Sequence, residues 1–422
     1  MGAPPHRALG KLSKQYGPII HLKLGEVKHY DLAFIPYNEH WKQIHKICIM
    51  EILSNKNVRS YGHIRHDEIS KLIRSIRSHG EPFNVTNMLL SYTSSVTARA
   101  AFGGMLKEQD TLINFMKIGV ALAGGFELAD LYPSLKFLQI LSWNKHQLLK
   151  MRRKLDSILD AMLNEHKHKL AREKRDNGEL VSENIVDVPR RKQQSEDLDV
   201  PITDDDIKAT IFCFSFDMFT AGTETSSTTF DWAMTELMRN PRVMAKAQAE
   251  IREAFKGKKT IEESDIQNLK YLKLIIKENF RVHPAVTLLP RACREECEVD
   301  GYTIPCKAKV AVNIWALGRD PEYWEKPEIF KPERFENSSV DFMGNNFEYI
   351  PFGSGRRFCP GMNFRIANND VHLAQLLYHF DWKLPHVMNH GDLDMSEIPG
   401  VNVQRKNNLY LIATPYNPSI EG

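Results

Sequence analysis

The segment FGSGRRFCPG, residues 352–361, decides how this 422-residue chain is interpreted. Gly353 and Gly355 let the backbone approach a flat ligand closely, because glycine has no side chain to obstruct it. Cys359 stands just before MNFRIANNDVHLAQLLYHF (362–380), whose apolar spacing predicts a helix. Free amide groups and the dipole at a helix N-terminus favour the thiolate, which is the form of cysteine that ligates iron. The segment therefore predicts a cysteine whose thiolate form is favoured.

A lone cysteine beside a glycine turn would normally be a buried free thiol. Here Phe352, Gly355, Arg357, Cys359 and Gly361 match the pattern Phe-x-x-Gly-x-Arg-x-Cys-x-Gly. The match resembles the haem-binding signature of the cytochrome P-450 family. The resemblance implies that haem b (iron protoporphyrin IX) is the cofactor, that Cys359 is the axial ligand of its iron, and that Phe352, Arg357 and Gly361 help to bind it. It also implies dioxygen as co-substrate, since thiolate donation to iron favours O–O cleavage.

A long helical stretch precedes this segment. Thr203 and Asp206 form a capping-box-like start, and nothing breaks the helical pattern until Asn240 and Pro241. About 36 residues of helix would span about 54 Å, so the predicted helix crosses the whole core.

The middle of that helix reads AGTETSS (221–227). Ordinary helices tolerate both the glycine and the hydroxyl side chains found here. The family resemblance implies more: Gly222 permits a local bulge beside the iron, and Glu224 and Thr225 form an acid–alcohol pair that relays protons to dioxygen. Help of this kind typically contributes about 10² to 10⁴ in rate.

Helix gives way to a small sheet later in the chain. SDIQNLKYLKLIIKENFRVHP (264–284) predicts one helix that ends before its proline. VDGYTIP (299–305) contains an Asp-Gly turn, and KVAVNIW (309–315) alternates like a strand. The predicted fold class is mainly α with small β-sheets, and the resemblance implies a cytochrome P-450 fold with a long central helix and a cysteine-ligand loop before a C-terminal helix.

The first third of the chain mixes a short β-like piece, PIIHLKLGEV (18–27), with the helical stretches HWKQIHKICIMEIL (40–53) and DEISKLIRSIRS (67–78). Residues 165–201 are charged and irregular, which predicts an exposed loop and not a domain boundary. Residues 1–422 are therefore expected to form one domain, incomplete near its N-terminus.

Glu278 and Arg281 lie three residues apart, on one face of the predicted helix. An isolated pair of this kind is usually a surface ion pair of little energetic value. FKPERF (330–335) follows at the family's spacing, and the resemblance implies that Arg334 joins the pair in a buried structural network near the haem loop.

Arg291 and Arg357 occupy positions that bind haem propionates in the family. A planar, permanently charged guanidinium suits that use, although lone arginines are ordinarily surface residues. Trp41 resembles the tryptophan that opens a Trp-x-x-x-Arg propionate motif, but the fifth position here is His45. This change weakens the contact, because a histidine can be neutral at pH 7.

The overall composition excludes some partners. Lys and Arg number 56 against 53 acidic residues, a net charge of +3, so no strong field is present to recruit nucleic acid. Six cysteines in 422 residues are too sparse for a disulfide scaffold and favour a reducing compartment. No stretch approaches the roughly 18 apolar residues of a membrane span, so the chain as written is expected to be soluble or peripheral.

Cys293, Cys297 and Cys306 cluster within CREECEVDGYTIPC and raise the alternative of a zinc or iron–sulfur site. That alternative is disfavoured, because no C-x-x-C occurs and no suitably spaced histidine supplies a fourth ligand.

From PHRALGKLSKQYGPIIHLKLGEV (5–27) to its end, the chain is similar to plant microsomal P-450s, and most similar to terpenoid oxygenases. The resemblance implies an NADPH-dependent reductase partner, a hydrophobic small-molecule substrate and the cytosolic face of the endoplasmic reticulum membrane. It also makes Ala221, Val286, Leu289 and Val401 candidates for the substrate pocket.

The chain departs from the family in several places. The N-terminal anchor is missing, an internal segment after residue 27 is omitted, CFSF (213–216) is inserted in the long helix, and Pro189 should break a helix. The leading hypothesis is a monooxygenase that hydroxylates an apolar, terpenoid C–H bond. The alternatives are a catalytically impaired haem-binding remnant, favoured by the omitted segment and by His45, and a haem-thiolate isomerase or dehydratase, which would not need Thr225.

Overall fold

The computed structural model describes residues 4–16, 19, 41–42, 45–46, 48–79, 81–102, 153–154, 157, 204–256, 258, 261–385, 388–398, 400 and 402–417. The predicted charged loop at 165–201, Pro189 and the junction after residue 27 lie outside these residues.

Helices make up most of the described structure. They are α1 (Pro5–Tyr16), α2 (Asn55–Ser60), α3 (Gly62–Arg77), α4 (Val85–Phe102), α5 (Asp204–Arg239), α6 (Pro241–Ala254), α7 (Glu263–Ile266), α8 (Lys270–Val282), α9 (Ile314–Leu317) and α10 (Met362–His379). A π-helical turn covers Cys48–Ile52, and 3-10 turns cover Pro332–Phe335, Gly355–Arg357 and His390–Asp392.

The strands are short. They are β1 (Phe83–Asn84), β2 (Leu288–Ala292), β3 (Cys297–Val299), β4 (Tyr302–Ile304), β5 (Lys309–Asn313), β6 (Phe380–Lys383), β7 (Glu397–Ile398), β8 (Gln404–Arg405) and β9 (Tyr410–Pro415). They form a three-stranded sheet in the order β1-β9-β6 and the antiparallel pairs β2-β5, β3-β4 and β7-β8. The β3-β4 hairpin turns at Asp300 and Gly301, with φ of 51° and 77°, as the Asp-Gly pair predicts.

Helix α5 is 36 residues long, the predicted length, and includes the segment 213–216 as helix. Its residues 226–238 are buried in the core. It packs against α4, α8 and α10. The helix ends at Arg239, and the side-chain amide of the next residue, Asn240, donates to the Glu236 carbonyl at 2.8 Å. Pro241 then starts α6, because a proline lacks the N–H that the first turn of a helix leaves unpaired.

The single helix predicted over 264–284 is wrong, since the structure divides it into α7 and α8. A capping box between Glu262 and Asp265 starts α7. The carboxylate of Glu250, on α6, accepts hydrogen bonds from the backbone N–H groups of Tyr271 (2.8 Å) and Leu272 (3.0 Å). A new helix can begin at Lys270 because a distant acid satisfies its first amides.

No helix of the described residues combines the length and the apolar character that crossing a bilayer requires.

Gly318 lies where two backbone segments meet, directly after α9. A Cβ at this position would stand 2.4 Å from the backbone carbonyl oxygen of Arg281, at the end of α8. Neither backbone can rotate away as a side chain would, so Gly318→Ala is expected to lower the free energy of unfolding by about 1 to 3 kcal/mol. Urea denaturation of the two proteins measures this difference.

Gly391→Ala is the matched control, because a Cβ at Gly391 would meet no atom within 4 Å. We expect this variant to unfold within about 0.5 kcal/mol of wild type. Equal destabilisation by both variants would contradict the steric explanation at Gly318.

Candidate active site

The cysteine loop joins the core to α10. Gly353 and Gly355 have φ of 76° and 69°, a left-handed conformation that glycine adopts without strain. The backbone N–H of Cys359 donates to the Phe352 carbonyl at 3.0 Å, which closes the loop. The Cys359 side chain is thereby held, half-buried, three residues before the start of α10 at Met362.

The environment of the Cys359 thiol has opposing effects. Burial raises its pKa, and this effect outweighs the backbone N–H groups of Gly361 and Met362 and the positive charge of Arg365, which lower it. The amide groups expected at the helix N-terminus are therefore present, but without a metal they do not produce a thiolate at neutral pH. A metal ion ligated by the sulfur would displace the proton.

Two arginines and two aromatic rings lie beside the loop. The Arg357 guanidinium lies 4.5 Å from the centroid of the buried Trp41 ring, and the Trp41 and His45 rings stack at 4.4 Å. A Cβ on Gly353 would be 3.5 Å from Arg291 Nη2, so the Arg291 side chain lies against the loop. Burial, and then the charge of Arg357, lower the pKa of Arg291. An anion bound between the two guanidinium groups would relieve this repulsion.

His45 is neutral at pH 7, because burial, followed by the charge of Arg357, lowers its pKa. Its Nε2 atom is buried and has no hydrogen-bond partner among the described residues. An unpartnered polar atom next to Arg357 fits a site that a carboxylate-bearing group fills, and the two propionates of haem are such groups.

The middle of α5 presents an open face. Ala221 is exposed and Thr225 is half-buried, although Thr223 and Ser226 between and beside them are buried. Residues four apart share one face of a helix, so Ala221 and Thr225 border the same space. The Thr225 hydroxyl donates to the Ala221 carbonyl at 2.5 Å. An exposed patch inside a long core helix fits a face that a bound flat cofactor would cover.

Glu224 is buried and Gly222 half-buried on this part of α5. The helix continues through Gly222 without interruption. A Cβ at Gly222 would stand 3.3 Å from Thr97 Cγ2, so the absent side chain lets α4 lie close to α5. The structure therefore shows regular helix at Gly222 in place of the predicted bulge, and the glycine serves the packing of α4 against α5.

Arg365, on the first turn of α10, was not among the residues singled out from the sequence. Its guanidinium is buried between the Phe280 ring (4.9 Å) and the Phe352 ring (5.2 Å), and burial lowers its pKa to about 10. It donates to the Thr225 carbonyl at 3.3 Å and to the Thr229 hydroxyl. The helix that follows Cys359 is therefore tied directly to the Thr225 turn of α5. No clear signal in the sequence singled it out, because Asn368, Asn369 and His372 on the same helix face are also polar.

The structure brings Glu278, Arg281 and Arg334 together in the core. The Glu278 carboxylate accepts hydrogen bonds from Arg281 Nη2 at 2.8 Å and from Arg334 Nε at 2.9 Å. The side chains of Glu278 and Arg281 are 0% exposed, and that of Arg334 is 9% exposed. Arg281 also donates to the carbonyls of Gly318 (2.5 Å) and Pro327 (2.8 Å).

This network reaches the cysteine loop through aromatic contacts. Phe280, next to Arg281 on α8, meets the Phe352 ring edge-on at 5.1 Å between centroids. The Tyr349 hydroxyl donates to the Lys277 carbonyl at 2.6 Å. The loop is therefore anchored on the same helix that carries Glu278.

The pocket candidates are only partly placed. Val286 and Leu289 are half-buried, and Leu289 Cδ2 would be 3.5 Å from a Cβ on Gly353, beside the loop. Val401 lies outside the described residues. Its neighbour Asn402 donates to the Thr228 hydroxyl of α5 at 3.4 Å, so the chain after residue 401 runs against α5.

Comparisons with known proteins agree with this geometry. A family model described as Cytochrome P450 matches residues 6–412. The chain is 51% identical to premnaspirodiene oxygenase of Hyoscyamus muticus over 459 aligned positions, which cover 100% of this chain and 90% of the relative. It is 50% identical to 5-epiaristolochene 1,3-dihydroxylase of Nicotiana tabacum, with the same coverage. The 459 positions exceed the 422 residues by 37, so the first relative has residues that this chain lacks.

Solved structures confirm the predicted fold class. A zebrafish cytochrome P450 solved with abiraterone superimposes with a TM-score of 0.78 at 21% identity, covering 99% of this chain and 100% of the other. A zebrafish cytochrome P450 solved with progesterone superimposes with a TM-score of 0.77 at 22% identity, covering 98% of this chain and 100% of the other.

Proposed function

Because this chain belongs to the cytochrome P450 family, it is a haem-thiolate monooxygenase, and we propose that its substrate is a hydrophobic terpenoid, of the sesquiterpene class. The observation that carries the substrate proposal is the identity of 50% and 51%, over the full chain, to two relatives named for sesquiterpene oxidation. Both the cysteine loop and the Thr225 turn are present, and nothing in the described residues favours a catalytically impaired remnant.

We propose the following roles in binding haem. Cys359 ligates the iron, and Phe352 and Gly361 form the loop around it. Arg291, Arg357 and Trp41 hold the propionates, as the paired guanidinium groups and the stacked rings support. When bound, haem iron activates dioxygen.

Thr225 and Glu224 are the proposed proton-handling residues. The Thr225 hydroxyl borders the open face of α5 and donates a hydrogen bond to the Ala221 carbonyl. When a ligand is bound, the hydroxyl can donate to that ligand in place of the carbonyl. Glu224 is buried one residue away and is the proposed source of the proton. General acid groups need to lie within hydrogen-bond reach of the atom they protonate.

Hydroxylation of a C–H bond by dioxygen also consumes two electrons and two protons and yields one water. No amino-acid side chain supplies these electrons, so we propose that a separate NADPH-dependent reductase delivers them. Association with the cytosolic face of the endoplasmic reticulum membrane stays a prediction from the family.

The test uses the haem-loaded protein. We expect the carbon monoxide difference spectrum of the reduced protein to display the thiolate-type Soret shift, and Cys359→Ser to lose it. Cys306→Ser, which changes an exposed cysteine far from the loop in sequence, should retain it. Absence of the shift from wild-type protein supplied with haem would overturn the haem-thiolate assignment.

The substrate class is tested separately. With NADPH and a plant reductase, a panel of sesquiterpene hydrocarbons should yield products that carry one added oxygen atom by mass spectrometry. A normal Soret shift with no oxygenated product from any terpene would reject the terpenoid class. Rearranged or dehydrated products formed without dioxygen would favour an isomerase or dehydratase.

A further inference from the structure

A pair of cysteines lies outside the active site, on the connection from β2 to β3. The Sγ atoms of Cys293 and Cys297 are 3.6 Å apart. Cys297 is exposed and Cys293 is half-buried. Sulfurs this close need only small side-chain rotations to reach bonding distance.

The backbone around both cysteines is fixed by the small sheets. The Cys293 N–H donates to the Ala308 carbonyl at 2.8 Å, and the Lys307 N–H donates to the Cys293 carbonyl at 2.7 Å. Cys297 is the first residue of β3 and pairs with Ile304 of β4. The short distance is therefore built into paired strands.

The two sulfurs differ in their surroundings. The Cys293 thiol donates to the Glu295 carbonyl at 2.8 Å and lies 3.8 Å from the Ile304 carbonyl. Cys297 is the more exposed residue of the two. Among the residues that the structure describes, no set of three or more Cys, His, Asp or Glu side chains is arranged to hold a metal. Two thiols without further ligands are suited to thiol–disulfide exchange.

We propose that Cys293 and Cys297 are a modification site that forms a reversible intramolecular disulfide by exchange with a low-molecular-weight disulfide such as oxidised glutathione. The Cys297 thiolate attacks one sulfur of glutathione disulfide. This attack forms a mixed disulfide between Cys297 and glutathione, breaks the bond between the two glutathione sulfurs and releases one reduced glutathione. The Cys293 sulfur then attacks Cys297 Sγ, which forms the Cys293–Cys297 bond and releases the second. Two thiol protons leave with the two glutathione thiolates, so the protein loses two electrons and glutathione disulfide gains them.

The site has a direct structural link to the haem pocket. Cys293 follows β2 by one residue, and β2 carries Leu289 and the proposed propionate residue Arg291. A disulfide would fix the end of this strand to β3. The site itself does not depend on haem or on turnover, so it is independent of the proposed function.

Mass spectrometry of the haem-loaded protein treated with oxidised glutathione tests the proposal. Trypsin cleaves after Arg294, which separates the two cysteines onto different peptides unless a disulfide joins them. We expect the joined peptides, two hydrogens lighter than the sum of the free ones, and their loss after dithiothreitol. Cys306 lies on the same peptide as Cys297, so the experiment is repeated with Cys306→Ser, in which the bond should persist.

Single variants separate the steps. Cys293→Ser should stop at a stable glutathione adduct on Cys297, and Cys297→Ser should give no cross-link. A stable adduct on Cys297 of the wild-type protein, with no peptide cross-link, would overturn the proposal. Loss of the cross-link in Cys306→Ser would equally overturn it, because the bond would then involve Cys306.

Discussion

Glu278→Gln is expected to lower the free energy of unfolding by about 3 to 5 kcal/mol, because it leaves buried positive charge without a counter-charge. Arg281 is 0% exposed and loses the carboxylate that accepts two of its hydrogen bonds. The substitution keeps the size of the side chain, so a cavity does not explain the loss. Urea denaturation of wild type and variant measures the difference.

The consequence for haem follows from the contacts of α8. Phe280 contacts Phe352, and the backbone carbonyl of Lys277 accepts a hydrogen bond from the Tyr349 hydroxyl. A disturbed α8 therefore also displaces the cysteine loop. We expect the variant to be purified with a lower ratio of haem to protein. This ratio is read from the Soret absorbance against total protein.

Asp381→Asn is the matched control, since it removes one charge from the ion pair between Asp381 and Arg252 at 2.8 Å. Asp381 is 48% exposed, and Arg252 retains bonds to the Phe380 and Leu377 carbonyls. Exposed pairs contribute roughly 0 to 1 kcal/mol, so this variant should unfold close to wild type. If Glu278→Gln behaved like Asp381→Asn, the buried network would have no special energetic role.

Thr225→Val should reduce the rate of product formation by about 10² to 10⁴, the usual contribution of a positioned proton donor. Valine has nearly the shape of threonine but no hydroxyl, so the variant isolates proton handling from packing. The measurement is the rate at which oxygenated product forms per haem, with excess NADPH and reductase, from the sesquiterpene that wild type converts best. Thr225→Ser restores a hydroxyl and should recover much of the rate.

Thr235→Val provides the control on the same helix. The Thr235 hydroxyl donates to the backbone carbonyl of Asp231, four residues earlier, at 2.7 Å. The Thr225 hydroxyl donates in the same way to the backbone carbonyl of Ala221. Thr235 is fully buried away from the open face, so we expect near-normal turnover. A similar loss in both variants would mean that the back-bonded hydroxyl shapes the helix and does not handle protons.

Local sequence patterns predicted much of the fold. The helical sequence is uninterrupted up to Asn240 and Pro241, and this predicted the length of α5. The Asp300-Gly301 pair predicted the turn of the β3-β4 hairpin. The division between α7 and α8 could not be found in this way, because its cause is the Glu250 carboxylate on another helix. Tertiary contacts of this kind override helical periodicity.

The site was predicted unevenly for the same reason. The motif around Cys359 identified the loop, but the high pKa of its thiol results from burial, which a sequence does not reveal. Arg365 was missed because its partners lie on α5 and α8, far from it in sequence. Motifs identify residues in short segments, whereas partners across the core require coordinates.

The carboxylate of Glu250 also bears on how the chain folds. The amides of Tyr271 and Leu272 at the start of α8 have their acceptor on α6. Until α6 docks, these amides must bond to water, and the first turn of α8 frays. The two helices therefore form one cooperative unit, whose opening and closing are shared. Since α8 carries Glu278 and Arg281, the contact between α6 and α8 also supports the ion network beneath the cysteine loop.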